Sequence, residues 1–210
     1  MGIRKLAVSA AVGGVVSLVA LVTMGEAGHA DPAVASATLV DINGNKVGDA
    51  LFTMNGDGTV KGRVRITVDR NVTDPTGTGT EFHGFHIHAN NDDDTGDGNT
   101  NDGCVTYSAA NTPAQSAWFS QVDGHWDTAS HSHGNHTGDL PSLARQSNGE
   151  ATIEFALDKF AAPSIVGKAL VVHFQADDFG KHPTVGTSAT TGNAGFRYAC
   201  GEIVASARNS

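Results

Sequence analysis

From Val60 to Val68 the chain alternates without a break. Val60, Gly62, Val64, Ile66 and Val68 fall on one side, and Lys61, Arg63, Arg65 and Thr67 on the other. A period of two marks a strand with one face in a core and the other in water. Just before it, Leu51-Phe52-Thr53-Met54 runs into Asn55-Gly56-Asp57-Gly58, a hairpin turn signal. Ala37–Ile42, Glu81–His88, Ala151–Leu157, Ile165–Phe174 and Phe196–Val204 read as further strands, and Ser147-Asn148-Gly149-Glu150 as another turn. Beyond the N-terminal segment no window keeps a 3.6-residue period. Glycine is frequent (26 of 210 residues) and only 17% of residues are charged, against roughly 25% usually. Short strands joined by glycine-rich turns predict an all-β protein, an antiparallel sandwich or barrel. With no internal repeat and no linker, 210 residues suit one domain with a real core.

The N-terminus reads as a targeting segment. Arg4 and Lys5 precede an uncharged, small-residue-rich stretch from Leu6 to Met24, and Gly28-His29-Ala30 offers small residues for cleavage. This predicts a secretory signal peptide over residues 1–30 and a mature domain over 31–210. An uncleaved anchor is the competing reading, since 19 uncharged residues nearly span a bilayer. No Cys lies near the cleavage region, so a lipid-modified terminus finds no support. Removing residues 1–30 takes Arg4, Lys5 and Glu26 away and shifts the net charge from −9 to −10. That charge argues against a nucleic-acid partner. After cleavage no stable membrane insertion is expected, and the protein is placed outside the cytoplasm, whether extracellular, periplasmic or associated with the envelope. Two cysteines, Cys104 and Cys200, remain in the mature chain. In an exported protein an even pair is most simply one disulfide.

Three loops are long. Asn90–Gly103 is dense in carboxylates and amides, yet lacks calcium-loop spacing and a closing Glu, and reads as a solvated insertion. The second runs from Asn111 to about Leu143 and the third from Asp178 to Gly195.

The ten histidines carry the chemistry. On a strand His86 and His88 point to one face and form half of a metal site. His173 ends the apolar run Ala169-Leu170-Val171-Val172, where a histidine is either a core residue or a ligand. His125, His131, His133, His136 and Asp139 fall within 15 residues. Several imidazoles with one carboxylate suit zinc, and imidazoles suit copper. No Gly-x-Ser-x-Gly elbow, glycosidase carboxylate pair or phosphate-cradling glycine loop stands out.

Three blocks carry a resemblance to a known family: His83-Gly84-Phe85-His86-Ile87-His88; Ala169 to Gly180, containing His173-Phe174-Gln175-Ala176-Asp177-Asp178; and Thr191 to Gly201, containing Gly195-Phe196-Arg197-Tyr198-Ala199-Cys200. Gly103-Cys104 and His136-Thr137-Gly138-Asp139-Leu140-Pro141 add to it. Over residues 35–204 the chain resembles the copper/zinc superoxide dismutases, in a bacterial exported form. The resemblance implies an eight-stranded Greek-key sandwich or barrel. It implies copper held by His86, His88, His125 and His173, and zinc held by His125, His133, His136 and Asp139, with His125 shared. Asp177 would link a copper ligand to a zinc ligand, Arg197 would place the anionic substrate, Thr191 would narrow the channel opposite it, and Cys104 would pair with Cys200. A homodimer is compatible with the family, whose contacts vary.

The sequence departs from the family pattern in three places. His136 follows His133 by only three positions, so that His131 is the alternative ligand to His133. The segment Phe179–Thr190 carries Lys181 and His182 and none of the acidic pair often found there. The acidic insertion after His88 is long. The implied reaction is 2 O₂⁻ + 2 H⁺ → O₂ + H₂O₂ by redox cycling of copper, with His125 delivering a proton; the alternative is an exported copper-binding or copper-delivery module on the same fold.

Overall fold

In the computed structural model the described residues are 33–69, 80–92 and 100–206. The expected signal peptide and residues 93–99 of the acidic insertion lie outside them. Among the described residues nine strands follow in order: β1 (Ala33–Val40), β2 (Lys46–Met54), β3 (Val60–Thr67), β4 (Phe82–His83), β5 (Phe85–His88), β6 (Leu143–Ala144), β7 (Glu150–Leu157), β8 (Ala169–His173) and β9 (Arg197–Ala205). The one α-helical turn among the described residues is α1 (Ser188–Thr191).

The alternation in β3 is realised residue by residue, with Val60, Gly62, Val64 and Ile66 buried and the four intervening residues exposed. The expected hairpin joins β2 to β3 with Met54 opposite Val60. Its turn is fixed by Asp57 Oδ1, which accepts the Thr59 N–H at 2.9 Å, and by Gly58 at φ +87°. The run expected as one strand from Glu81 to His88 is instead divided at Gly84. There a Cβ would press on the Ala194 methyl group at 2.6 Å and on the His86 ring at 3.2 Å. Other boundaries also differ, β7 and β9 by one residue. β1 begins at Ala33 and ends before Asp41, whose carboxylate accepts N–H groups of the following turn. Ile165 belongs to a 3-10 turn, and β8 begins at Ala169.

Seven strands form one antiparallel sheet in the order β5-β8-β9-β1-β2-β3-β7, and β4 pairs with β6. β4 leads into β5 at one edge, and β6 turns into β7 at the other through the Arg145–Ala151 bridge. The β4–β6 pair therefore joins the two edges and curls the sheet into a barrel. With β4 and β5 counted as one strand, the barrel has the eight expected. β3 crosses over to β4, and β6 and β7 bring the chain back beside β3, which is a Greek key.

The barrel interior holds Leu39, Phe52, Val64, Ile66, Phe85, Ile87, Leu170 and Val172, all at most 1% exposed. Burying each such side chain stabilises the fold by about 1.5–3 kcal/mol before entropy is charged. A second apolar cluster lies on the outer face of β8 and β9: Ile42, Phe119, Val122, Ala169, Val171 and Cys200. The segment between Cys104 and His125 covers that face, so every residue of β8 is buried.

Candidate metal centre

On β5 the pleat sends Phe85 and Ile87 inward and His86 and His88 to the outer face. His173 ends the neighbouring β8. The free edge of β5 is not left bare. Ile87 donates its N–H to Gly138 O and accepts from Trp126 N–H, and His88 and His86 bridge to His125 and Asp139. The loop thus continues the ladder and delivers its histidines to the same face. Gly138 is required there, because a Cβ would collide with the Ile87 carbonyl.

Four rings meet at this place. His86 stacks on His125 at 3.9 Å between centroids, and His88 lies 5.0 Å from His125 and 5.6 Å from His173. Ligating atoms of His86, His88, His125 and His173 all lie within 4.8 Å of one another. Three of these rings are oriented by the nitrogen that faces away from the cluster. His86 Nε2 contacts Asp177 Oδ2 at 2.8 Å, His88 Nδ1 donates to Asp123 O at 2.8 Å, and His173 Nδ1 donates to Gly195 O at 3.0 Å. Fixing one nitrogen selects the tautomer that leaves a lone pair on the other. His88 Nε2 and His173 Nε2 then face each other at 3.4 Å. His86 Nδ1 and His125 Nε2 are buried with no hydrogen-bond partner. Burial holds His88 and His173 well below the usual imidazole range and lowers His125 to about 3, with neighbouring rings adding to each effect. Neutral, inward-aimed imidazoles are the donor set a copper ion takes.

A second group surrounds Asp139 Oδ1. His125 Nδ1 lies 3.1 Å from it, His136 Nδ1 3.3 Å and His133 Nδ1 3.4 Å. Ligands of a tetrahedral zinc ion at about 2.0–2.1 Å stand roughly 3.3 Å apart. The other oxygen of Asp139 is occupied by the N–H groups of Gly134 at 2.7 Å and His136 at 3.0 Å. His133 Nδ1 and His136 Nδ1 are buried without hydrogen-bond partners. Burial disfavours charge on His133, yet Asp139 and Asp177 on either side push it up to about 9. Burial works against Asp139 and Asp177 as well, but the histidines they hold keep both below the usual carboxylate range. Asp177 joins the two groups, since Oδ1 accepts from His133 Nε2 at 2.7 Å while Oδ2 meets His86.

The structure places the two histidines left open by spacing in different surroundings. His133 is fully buried beside Asp139, whereas the His131 side chain is 46% exposed and bound to Asp127 at 2.7 Å. Arg197 opens β9, with Nη1 donating to Phe119 O and Nη2 to Asp123 O. Thr191 ends α1 with its hydroxyl turned back on Thr187 Oγ1 at 2.7 Å. Cys104 and Cys200 form the disulfide, which ties the start of the covering segment to β9. Sequence reasoning missed the backbone carbonyls of Asp123, Gly195 and Phe119. It also missed Lys159, whose Nζ donates to Asp139 O at 3.2 Å. A carbonyl is common to all residue types, so nothing in the sequence could have revealed these contacts.

Comparison with known proteins agrees with this geometry. The model of the family "Copper/zinc superoxide dismutase (SODC)" matches residues 46–203. The chain is 29% identical over 180 residues to an extracellular superoxide dismutase [Cu-Zn] of Brugia pahangi, covering 77% of this chain and 78% of that protein. It is also similar to a crystal structure of the clock protein EA4, with a TM-score of 0.55 and 27% identity over 84% of this chain and 97% of that one. A closed antiparallel barrel carrying two adjoining histidine groups, matched over three quarters of its length, places the chain in the copper/zinc superoxide dismutase family, with copper and zinc as its cofactors.

Proposed function

We propose that the protein converts two superoxide anions and two protons to dioxygen and hydrogen peroxide. One observation carries this reading: the His125 ring takes part in both donor groups, with Nδ1 beside Asp139 and Nε2 buried and unpartnered among His86, His88 and His173. In this assignment His86 Nδ1 and the Nε2 atoms of His88, His125 and His173 hold copper. His125 Nδ1, His133 Nδ1, His136 Nδ1 and Asp139 Oδ1 hold zinc. When bound, copper supplies one-electron redox chemistry and zinc a fixed positive charge beside it.

The protein's own groups do the rest. Asp177, Asp123 and Gly195 keep three imidazoles from turning, so those rings stay put through the cycle. His125 differs, because its second nitrogen belongs to the zinc side. Whenever Nε2 is free of the metal it could therefore carry a proton for the product, while the ring remains in place through Nδ1. Arg197, beside His88, would bind and orient the small anion, and Thr191 is assigned the narrowing of its approach. Field focusing by Arg197 must overcome the net charge of −10 on a mature chain of residues 31–210. We place that chain outside the cytoplasm, with residues 1–30 removed as a leader. A copper-delivery role gains no support from the donor set, since the disulfide takes up both thiols.

The test is metal analysis of the purified mature protein paired with a superoxide consumption assay. One copper and one zinc per chain, with fast consumption of superoxide, are expected. Full copper loading without consumption would sink the proposal.

A further inference from the structure

Asp123 has φ 60° and ψ −157°, a backbone conformation open to glycine and strained for any residue with a Cβ. Four donors converge on it. Its carbonyl accepts from His88 Nδ1 at 2.8 Å and from Arg197 Nη2. Its carboxylate Oδ2 accepts the N–H of Asn91 at 2.6 Å and of Asp92 at 3.1 Å. Asn91 and Asp92 open the acidic insertion, and the base of that insertion is stapled. Buried Asn90 accepts the Gly103 N–H on Oδ1 at 3.0 Å and donates from Nδ2 to Gly167 O at 2.9 Å. On either side of Asp123, Asn90 N donates to Val122 O and Ala89 N to Gly124 O.

We propose that Asp123 is a positioning residue. Clamped by the Asn91 and Asp92 N–H groups, its carboxylate holds the strained backbone that aims one carbonyl at both His88 and Arg197. That carbonyl fixes the Nδ1–H tautomer of His88, which leaves Nε2 facing the cluster, and seats the guanidinium next to it. The base of the acidic insertion thereby supports the anion site mechanically. What His88 and Arg197 do rests on the function proposed above, whereas the clamp itself does not.

Three variants of the full mature protein test this: Asp123→Ala, Asp123→Asn and Asp123→Gly. The first readout is the dissociation constant of azide, a small anion, from the metal-loaded protein. The second is the ¹⁵N resonance of His88 Nδ1 in the metal-free protein, which reports whether that nitrogen holds a hydrogen-bonded proton. Asp123→Ala keeps the strain and loses the clamp, so azide binding is expected to weaken about tenfold, as for the loss of other groups that orient metal-site side chains. Its His88 Nδ1 proton is expected to exchange freely. Asp123→Asn retains an acceptor for the two N–H groups, and Asp123→Gly has no strain to resist, so both should stay close to wild type in both readouts. A wild-type response from Asp123→Ala overturns the proposal, and so does an Asp123→Gly variant as impaired as Asp123→Ala. If Asp123→Ala fails to fold, the Asp123→Gly result decides alone. A wild-type protein with a protected His88 proton that consumes no superoxide would sink the proposed function and leave the Asp123 clamp intact.

Discussion

Gly192 packs so closely on Asp177 that a methyl group there would overlap the Oδ1 atom, and the His133 ring as well. Its φ of +64° also lies in the left-handed region that glycine enters most readily. Asp177 holds His86 with one oxygen and His133 with the other, so pressure at Gly192 reaches both metal groups. Gly192→Ala is therefore expected to weaken zinc binding by about 10–100-fold, the usual effect of disturbing a group that orients metal-site side chains. Competition with a chromophoric chelator measures this. Unchanged affinity for both metals would mean that the Asp177 bridge does not depend on the room Gly192 provides.

The two histidines on either side of Ser132 should behave oppositely. His133→Ala removes a buried nitrogen beside Asp139 and is expected to abolish stoichiometric zinc binding. His131→Ala removes an exposed ring bound to Asp127 and is expected to leave the zinc content unchanged. Metal analysis of the two purified variants is sufficient, and zinc loss in the His131 variant would reverse the assignment.

The metal-free protein should be most stable near pH 6.5. His133 is raised in the folded state to about 9, while an unfolded histidine titrates near 6.5. Its contribution is complete below about pH 6.5 and is lost as pH rises through about 9. His86, His88, His125 and His173 are lowered by burial. They favour the unfolded chain as pH falls below about 6.5, because only there can they take up protons easily. The lowered Asp139 and Asp177 add stability above the usual carboxylate range and lose it in acid. Thermal unfolding across pH tests this, and a melting temperature still rising from pH 7 to 9 would contradict it. By the same reasoning zinc bound at His133, as proposed, would displace its proton, so zinc uptake at neutral pH should release about one proton.

Much of this arrangement was legible in the sequence because it rests on side-chain types at fixed spacing. The alternation from Val60 to Val68 gave β3, since one face lies in the barrel and the other in water. His86 and His88 were readable as a pair because strand geometry puts i and i+2 on one face. Spacing could not choose between His131 and His133, because the choice depends on the fold of a loop with no period. The break at Gly84 was hidden for another reason. It answers to the Ala194 methyl group, more than a hundred residues away. β8 looked like an ordinary buried strand, and only the covering segment with Phe119 explains why both of its faces are apolar. Asp123 gave no signal, because its backbone carbonyl is what faces His88 and Arg197.

Removing the disulfide should cost a large share of the stability. Cys104 and Cys200 are 96 positions apart, and Cys200 is fully buried in the outer apolar cluster. A loop of that length gives roughly 4–5 kcal/mol in the chain-entropy model, and measured losses for native disulfides run at about 2–5 kcal/mol. Denaturant unfolding of the Cys104→Ser, Cys200→Ser double variant is expected to show a loss in that range. A midpoint equal to that of wild type would show that the covering segment stays in place without the bond.

Arg197 offers the most direct test of substrate guidance. Its two terminal nitrogens are committed to the carbonyls of Phe119 and Asp123, so the guanidinium is held as a fixed charge next to His88. With a net charge of −9 the chain as a whole repels superoxide, so attraction must come from this charge and from the metals. Arg197→Ala is expected to lower kcat/KM by about tenfold or more at low ionic strength, within the range attributed to electrostatic steering. It should also flatten the dependence on salt, because there is less local attraction left to screen. Arg197→Lys keeps a charge but loses the planar fork that grips two carbonyls, so an intermediate rate with wild-type salt dependence is expected. Steady-state rates for the three proteins, with metal content matched and ionic strength varied, separate charge from placement. An Arg197→Ala rate equal to wild type at low salt would leave the anion with some other guide.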